Sequence, residues 1–334
     1  TPSSETQACQ ETDRGYDLVT DIFGMKGKKV AVLGHTGMLG QALVKRLEQE
    51  DCILQKASSG ECNFFKRSEV DKWFSENQPD YVFCCAALVG GIQDNINRPA
   101  EFLYCNVIMS FNIILACMDC HAGQGVDKLL YFGSSCMYPK DCDQPMKETD
   151  LLTGPFEPTN EGYAIAKTSA TKLIEYCRQS GHNFISCIPC NLYGPNDNYD
   201  LESSHAMAAI IQKICDAKEH DQDTVELWGT GAPKREFLHI DDCADAAVYL
   251  MKYFSEDDPI NVGFGKDISI YELAKMVKRI AKYEGSIIYN NTITLDGMMR
   301  KLLDTSKLNS FGWHPTISLE EGITETITER INTT

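Results

Sequence analysis

Tyr163 and Lys167, in the segment YAIAK, stand four positions apart. At helical spacing they share a face, so a phenol and an ammonium can serve one site. A phenol titrates near about 10, too high for easy proton transfer at neutral pH, and a nearby ammonium favours the phenolate. About thirty positions earlier, Ser134 lies in GSSCMYP, directly after the apolar run KLLYF. Its hydroxyl can donate to the same substrate oxygen as Tyr163. Serine, tyrosine and lysine together suit proton transfer at an oxygen while a hydride is delivered to the carbon that bears it.

A hydride donor needs its own seat. Gly34, Gly37 and Gly40 form GxxGxxG immediately after KVAVL and at the start of a helical pattern, with Thr36, Met38 and Leu39 between them. Glycines permit a tight turn and close backbone approach to a pyrophosphate, whose charge is met by the helix N-terminus. The spacing differs from the GxGxxG dinucleotide fingerprint and matches the variant used by short-chain dehydrogenases. An acid ending the second strand would bond the ribose 2′-hydroxyl of NAD and repel a 2′-phosphate. Here LQKASSGE offers Lys56, Ser58 and Ser59 before any acid, which favours NADP(H).

These residues follow apolar runs, and the runs set the fold class. KKVAVLG, CILQKAS, DYVFCCAA and KLLYFGSS alternate with helical patterns, including one from Pro99 through Cys120. The alternation predicts an α/β fold with a Rossmann-type, doubly wound parallel sheet, whose ligands lie beyond the carboxyl ends of the strands. From about Asn191 the chain becomes turn-rich, and later amphipathic helices predict a smaller C-terminal α/β substrate lobe. The expected division is a leader over 1–26 and an NADP-binding domain over 27–190, with chain returning to it at about 236–265. The lobe is then 191–235 and 266–330. The polar, acidic leader reads as disordered, without the hydrophobic segment of a secretory signal.

Composition excludes some classes. A net charge of −17 argues against nucleic acid, whose phosphates need a basic face. No apolar run approaches the roughly 20 residues that span a bilayer, so no membrane partner is expected. Fifteen cysteines scattered through apolar runs read as free thiols of a reducing cytosol. They lack the paired knuckles of a zinc site, so no metal is expected.

The words GHTGMLG, AALVGGI, GSSCMYPK, EPTNEGYAIAK, NLYGPNDN, WGTGAPKREFLHIDD and RKLLDTSKL occur in that order between about Lys28 and Ile327. In order and wording they resemble the GDP-L-fucose synthase family of extended short-chain dehydrogenase/reductases. The resemblance implies epimerisation of a GDP-linked 4-keto-6-deoxymannose at carbons 3 and 5, then NADPH-dependent reduction at carbon 4. It places an acid–base pair for epimerisation at Cys136 and His205, and pyrophosphate contacts at Arg235 and Lys301. Asn191 is expected beside the sugar or nicotinamide and Trp228 near the nucleotide. Ala86, Ala87 and Asn106 join the glycine turn, Tyr163, Lys167 and Asn191 in the cofactor set. A cytoplasmic homodimer, paired through the helices near Pro99–Cys120 and Tyr163–Ser180, is implied by the same likeness. Two departures stand out: Thr36 replaces an arginine that some relatives use on the 2′-phosphate, and ITLDGMMRK replaces the usual KPDGTPRK. Two alternatives remain open. One is a related GDP-sugar 4-reductase of a heptose or colitose pathway, and the other a silent NADPH-binding scaffold. The intact Ser134, Tyr163 and Lys167 set speaks against the scaffold.

Overall fold

The computed structural model describes residues 23–201, 203–290 and 297–333; the first 22 residues of the expected leader lie outside them. Along the chain, β1 (Lys29–Leu33), α1 (Met38–Leu47), β2 (Ile53–Ala57), α2 (Arg67–Asn77) and β3 (Tyr81–Cys84) alternate as the apolar runs predict. A short α3 (Ile92–Asn97) precedes α4 (Pro99–Gly123), β4 (Lys128–Phe132), α5 (Glu161–Gln179) and β5 (Phe184–Pro189). Then come β6 (Asn191–Tyr193), α6 (Ala206–Glu219), β7 (Thr224–Trp228), β8 (Lys234–His239), α7 (Ile240–Tyr253) and β9 (Ile260–Val262). The chain ends with β10 (Asp267–Ser269), α8 (Ile270–Ala281), β11 (Ser286–Asn290), β12 (Arg300–Lys301), α9 (Ser306–Ser310) and α10 (Leu319–Thr333).

Six strands form a parallel sheet in the order β2-β1-β3-β4-β5-β9. The order reverses between β1 and β3, and the crevice for a ligand opens there, beyond the strand ends. Strands β3, β4 and β5 are buried throughout, as expected for a sheet covered on both faces. One face packs Leu43 and Leu47 of α1 with Val248 and Met251 of α7; the other packs Val70, Ile113 and Ile174 of α2, α4 and α5.

Two elements differ from the sequence reading. By length and composition α4 is apolar enough to cross a bilayer, although no unbroken apolar run announces it. In the fold it is a core helix, with Phe102, Ile113, Ile114 and Cys117 fully buried. The return of the chain to the main sheet is also narrower than expected. Ile260–Val262 joins it, but Lys234–His239 does not: β8 is the middle of a second sheet, β10-β8-β12, with β6 also paired to it. β7 and β11 make a separate parallel pair. Met207, Ile211, Leu273, Val277 and Ile323 close a distinct core in this lobe.

Two buried side chains tie the sheets together. Glu236 of β8 accepts Gly265 N–H at 2.6 Å and Leu303 N–H at 2.9 Å. Asn261 of β9 accepts the Tyr138 hydroxyl at 2.6 Å and donates to Met146 and Asp304 carbonyls. The chain on both sides of the crevice is therefore fixed from below.

Candidate active site

The glycines of the first turn do different work. Gly34 has φ +89°, and a Cβ there would lie 2.7 Å from the Ala86 backbone nitrogen. Only glycine tolerates both conditions. A Cβ on Gly40 would run into the Gly34 carbonyl oxygen and His35. Gly37 has ordinary backbone angles and its nearest obstacle is 3.7 Å away. The protein itself therefore does not require a glycine at position 37; an object pressed against the turn would. No side chain caps α1, so its first amides, at Met38 to Gly40, face the crevice as an anion seat. The residues present fit a dinucleotide pyrophosphate. Ala86, which with Ala87 follows β3, walls the turn at Gly34. Asn106, expected on the cofactor, instead commits its whole amide to backbone: Oδ1 accepts Leu88 N–H, and Nδ2 donates to the Leu88 and Phe102 carbonyls. It shapes the loop and does not reach the crevice.

At the end of β2 an acid does arrive. Ser58 is 9 % exposed, and both its amide, at 2.6 Å, and its hydroxyl donate to Glu61. Those donors hold the Glu61 carboxyl below its usual range. The other Glu61 oxygen lies 3.9 Å from His35 Nε2. Lys56 and Ser59 are exposed beside this knot. The sequence reading stopped at the strand end and missed an acid folding back from three residues later. Thus a carboxylate, and no arginine, borders the expected 2′-phosphate position.

Beyond β4, Ser134 opens a short 3-10 turn, Ser135–Met137, and its Oγ accepts the Cys136 N–H at 3.2 Å. Tyr163 and Lys167 rise from one face of α5. The Tyr163 phenol and the Ser134 side chain are hydrogen-bond partners, and burial together with nearby Cys136 pushes the phenol well up. Lys167 donates to the Phe132 carbonyl at 2.8 Å and sits 5.8 Å from the Tyr163 ring centroid. Burial lowers its ammonium to about 8. Without a bound partner the pair is thus a neutral phenol beside a readily discharged lysine. The serine fixes the phenol and the lysine is fixed by the strand.

Cys136 lies between this pair and the second lobe. Asn160 Nδ2 is 3.1 Å and Lys301 Nζ 3.6 Å from its sulfur. His205 is the residue before α6, directly preceding Ala206. Loss of hydration, then the Lys301 charge, lower its imidazole below the ordinary value. Its approach chain is docked by Gly91, whose amide donates to Ser203 at 2.7 Å and where a Cβ would strike the Ser204 carbonyl. Tyr163, Cys136, Lys301 and His205 therefore form a continuous series of electrostatic neighbours. Asn191 anchors the floor, its Nδ2 donating to the Glu236 carbonyl at 2.8 Å. Arg235 is opposite Lys301 in the parallel β8–β12 register, so two cations leave adjacent strands on one side. Trp228 is 43 % exposed at the end of β7, with Lys213 Nζ 4.5 Å from its ring centroid. Residues 291–296, which include the first four positions of the segment that departs from the family wording, lie outside the described residues. Sequence reasoning missed Asn160, whose contact with the sulfur has no local signal.

The NAD dependent epimerase/dehydratase family matches residues 30–263. A GDP-L-fucose synthase of Sinorhizobium fredii is 46 % identical over 303 residues, covering 90 % of this chain and 95 % of that protein. A solved GDP-6-OMe-4-keto-L-xylo-heptose reductase from C. jejuni is 32 % identical at a TM-score of 0.87, covering 93 % of this chain and 100 % of that one. A GDP-L-fucose synthetase from Naegleria fowleri, solved with NADP bound, is 25 % identical at a TM-score of 0.84, covering 92 % and 95 %.

Two predictions follow the geometry of the cofactor seat. Gly40→Ala should destabilise the fold by about 1–3 kcal/mol in denaturant titrations, because backbone must move. Gly37→Ala should change stability by no more than about 1 kcal/mol and yet weaken NADPH binding at least roughly tenfold, read by fluorescence titration. Normal NADPH affinity in Gly37→Ala would remove the turn from the cofactor site. Separately, Glu61→Gln removes a charge near the 2′-phosphate position. The NADPH-to-NADH ratio of kcat/KM should then rise roughly three- to tenfold; an unchanged ratio would show that Glu61 does not bear on the choice.

Proposed function

The chain belongs to the NAD dependent epimerase/dehydratase family, and we propose that it converts GDP-4-keto-6-deoxy-D-mannose to GDP-L-fucose. Epimerisation at carbons 3 and 5 precedes reduction at carbon 4. The cofactor is NADP(H), which supplies the hydride when bound. One observation supports the reading: the Cys136 thiol neighbours the Ser134–Tyr163 pair and touches Lys301, whose charge also acts on the His205 imidazole. A plain ketone reductase has no need of either. The likeness to the Sinorhizobium fredii protein supports the same substrate.

The residues divide the work by the atom each faces. Ser134 and Tyr163 hold the 4-keto oxygen, which acidifies the protons on both flanking carbons and steadies each enolate. Cys136 takes the proton from one face. His205 returns a proton on the other, and its lowered basicity makes the imidazolium a ready donor to carbon. In the reduction Tyr163 protonates the new alkoxide, and Lys167 favours the phenolate left behind. Arg235 faces the substrate pyrophosphate, where a guanidinium suits two phosphate oxygens at once, and Trp228 lies toward the nucleotide.

The enzyme is a cytoplasmic homodimer in this reading. Every cysteine among the described residues is a free thiol, in keeping with a reducing compartment. The outer surfaces of α4 and α5 expose Tyr104 at 61 % and Tyr176 at 56 %, with Ile165 between them at 37 %. A two-fold pairing of these helices would cover that apolar strip.

Incubation with GDP-4-keto-6-deoxymannose and NADPH in deuterated water should give GDP-L-fucose deuterated at carbons 3 and 5. Reduction without deuterium would replace this reading with that of a 4-reductase acting on another GDP-sugar. Tyr163→Phe should slow the reduction by about 100-fold or more while NADPH binding stays within a few-fold; full reductase rate in that variant would unseat the phenol as proton donor. Sedimentation should give twice the 37.3 kDa chain mass, and Tyr104→Asp with Tyr176→Asp should give monomers. A wild-type monomer would remove the dimer.

A further inference from the structure

Asn160 occupies an unusual position for its type. It is the residue before the first turn of α5, where asparagine ordinarily caps the helix by accepting a backbone N–H. No such bond is made. Its Nδ2 points to Cys136 Sγ at 3.1 Å, and its Oδ1 is buried with no hydrogen-bond partner among the described residues. Forgoing a cap costs roughly 1 kcal/mol, and an unpaired buried carbonyl costs about 1–3 kcal/mol. A residue that gives up local stability twice while touching a reactive group marks a functional constraint. The turn before it is fixed by Glu157, whose carboxylate accepts Thr159 N–H.

Lys301 approaches the same sulfur from the opposite lobe. It is 7 % exposed, and among the described residues its ammonium has one polar neighbour, Cys136 Sγ at 3.6 Å. No carboxylate neutralises it there. The neighbouring Arg300 points the other way and pairs with Asp267. The strand is held in place at both following residues: Leu302 N–H donates to Gln144 at 2.8 Å and Leu303 N–H to Glu236 at 2.9 Å. The ammonium is therefore aimed by the backbone, not left to a flexible stem.

We propose that Asn160 and Lys301 are positioning residues that clamp the Cys136 sulfur between two N–H donors and hold it as the proton acceptor of epimerisation. Lys301 thus serves the isomerising end of the pocket and not the substrate pyrophosphate. This rests on the reading that the chain epimerises a 4-keto sugar. In the step itself a C–H bond beside the ketone breaks and an S–H bond forms. The electron pair moves to the ketone oxygen, held by Ser134 and Tyr163. Two N–H donors fix the sulfur between them and leave it directed at the ring carbon. The groups around the sulfur are Asn160, Lys301, Tyr163 and Ser134, with His205 reached through the Lys301 charge.

The test needs no substrate. The NADP-loaded protein is treated with iodoacetamide at pH 7, and carboxamidomethylation of the Cys136 peptide is followed by mass spectrometry. Lys301→Met should slow it roughly tenfold, and Lys301→Arg should restore most of the rate, since a cation returns. Asn160→Asp, which replaces a donor by a carboxylate of the same shape, should slow it as well. A merely structural role would not respond to charge in this order. Calorimetry with GDP gives the contrast: Arg235→Ala should weaken GDP binding without altering alkylation, and Lys301→Met should do the reverse. Unchanged alkylation in Lys301→Met and Asn160→Asp, or a loss of GDP affinity in Lys301→Met as large as in Arg235→Ala, would overturn the proposal. Failure of the wild type to incorporate deuterium from solvent would strike the functional reading instead, and alkylation reports on the clamp independently of it.

Discussion

The pocket depends on one buried carboxyl group. Glu236 is fully enclosed, and its two oxygens take the amides of Gly265, after β9, and Leu303, after β12. Its own carbonyl accepts the side chain of Asn191, which follows β5. One residue thus joins the end of the dinucleotide-binding sheet to the strand that carries Lys301. Burial pushes the group up to about 7, so the loss of hydration outweighs the N–H donors gathered around it. An apolar side chain of like size would relieve that cost and leave two buried amides unpaired, at about 1–3 kcal/mol each. The carboxyl is retained for the geometry it imposes. Gly263 has no side chain because Glu236 fills the place where one would be.

The same economy of position runs through the first turn. Gly34 and Gly40 are required by the protein's own backbone, and Gly37 only by something outside it. A single motif therefore mixes residues of folding with a residue of binding, and no spacing rule separates them. The distinction appears only when the space beside each is measured. At the far side of the same crevice, Glu61 draws Ser58 inward and His35 toward itself. The electrostatics at the edge of the cofactor seat are thus set by a short loop whose conformation depends on local hydrogen bonds.

Most of the architecture was legible because parallel strands covered on both faces read as apolar runs, and because the turn and Tyr163–Lys167 are local patterns. What escaped was set by pairing at long range. Nothing in REFLH says that it leaves the main sheet, since the continuous burial from Glu236 to His239 suits either sheet; the partners β10, β12 and β6 decide it. The resemblance implied a cofactor contact at Asn106, which lies within α4, where its amide bonds the Leu88 backbone eighteen positions away and the Phe102 carbonyl. The resemblance implied a phosphate contact at Lys301, and sequence alone could not show that Arg300 and Lys301 turn in opposite directions, one to Asp267 and one to Cys136. Asn160 carried no signal in the sequence, because the sulfur it touches lies 24 positions before it.

One oxygen site can serve two reactions. In the proposed reaction the Ser134–Tyr163 pair that receives an alkoxide during reduction also steadies an enolate at the same oxygen, because both place negative charge there. Adding epimerisation to a reductase therefore requires no second oxyanion site, only groups that reach the flanking carbons. Those groups come from different lobes: Cys136 rides on the turn after β4, His205 precedes α6, and Lys301 ends β12. The relative placement of the lobes is then a chemical variable as well as a structural one. A shift of about 1 Å between them would leave ketone reduction nearly intact while misaligning proton transfer to carbon, which tolerates little error in approach. It follows that the buried tie at Glu236 matters more to inversion than to hydride transfer, although it touches neither substrate nor cofactor.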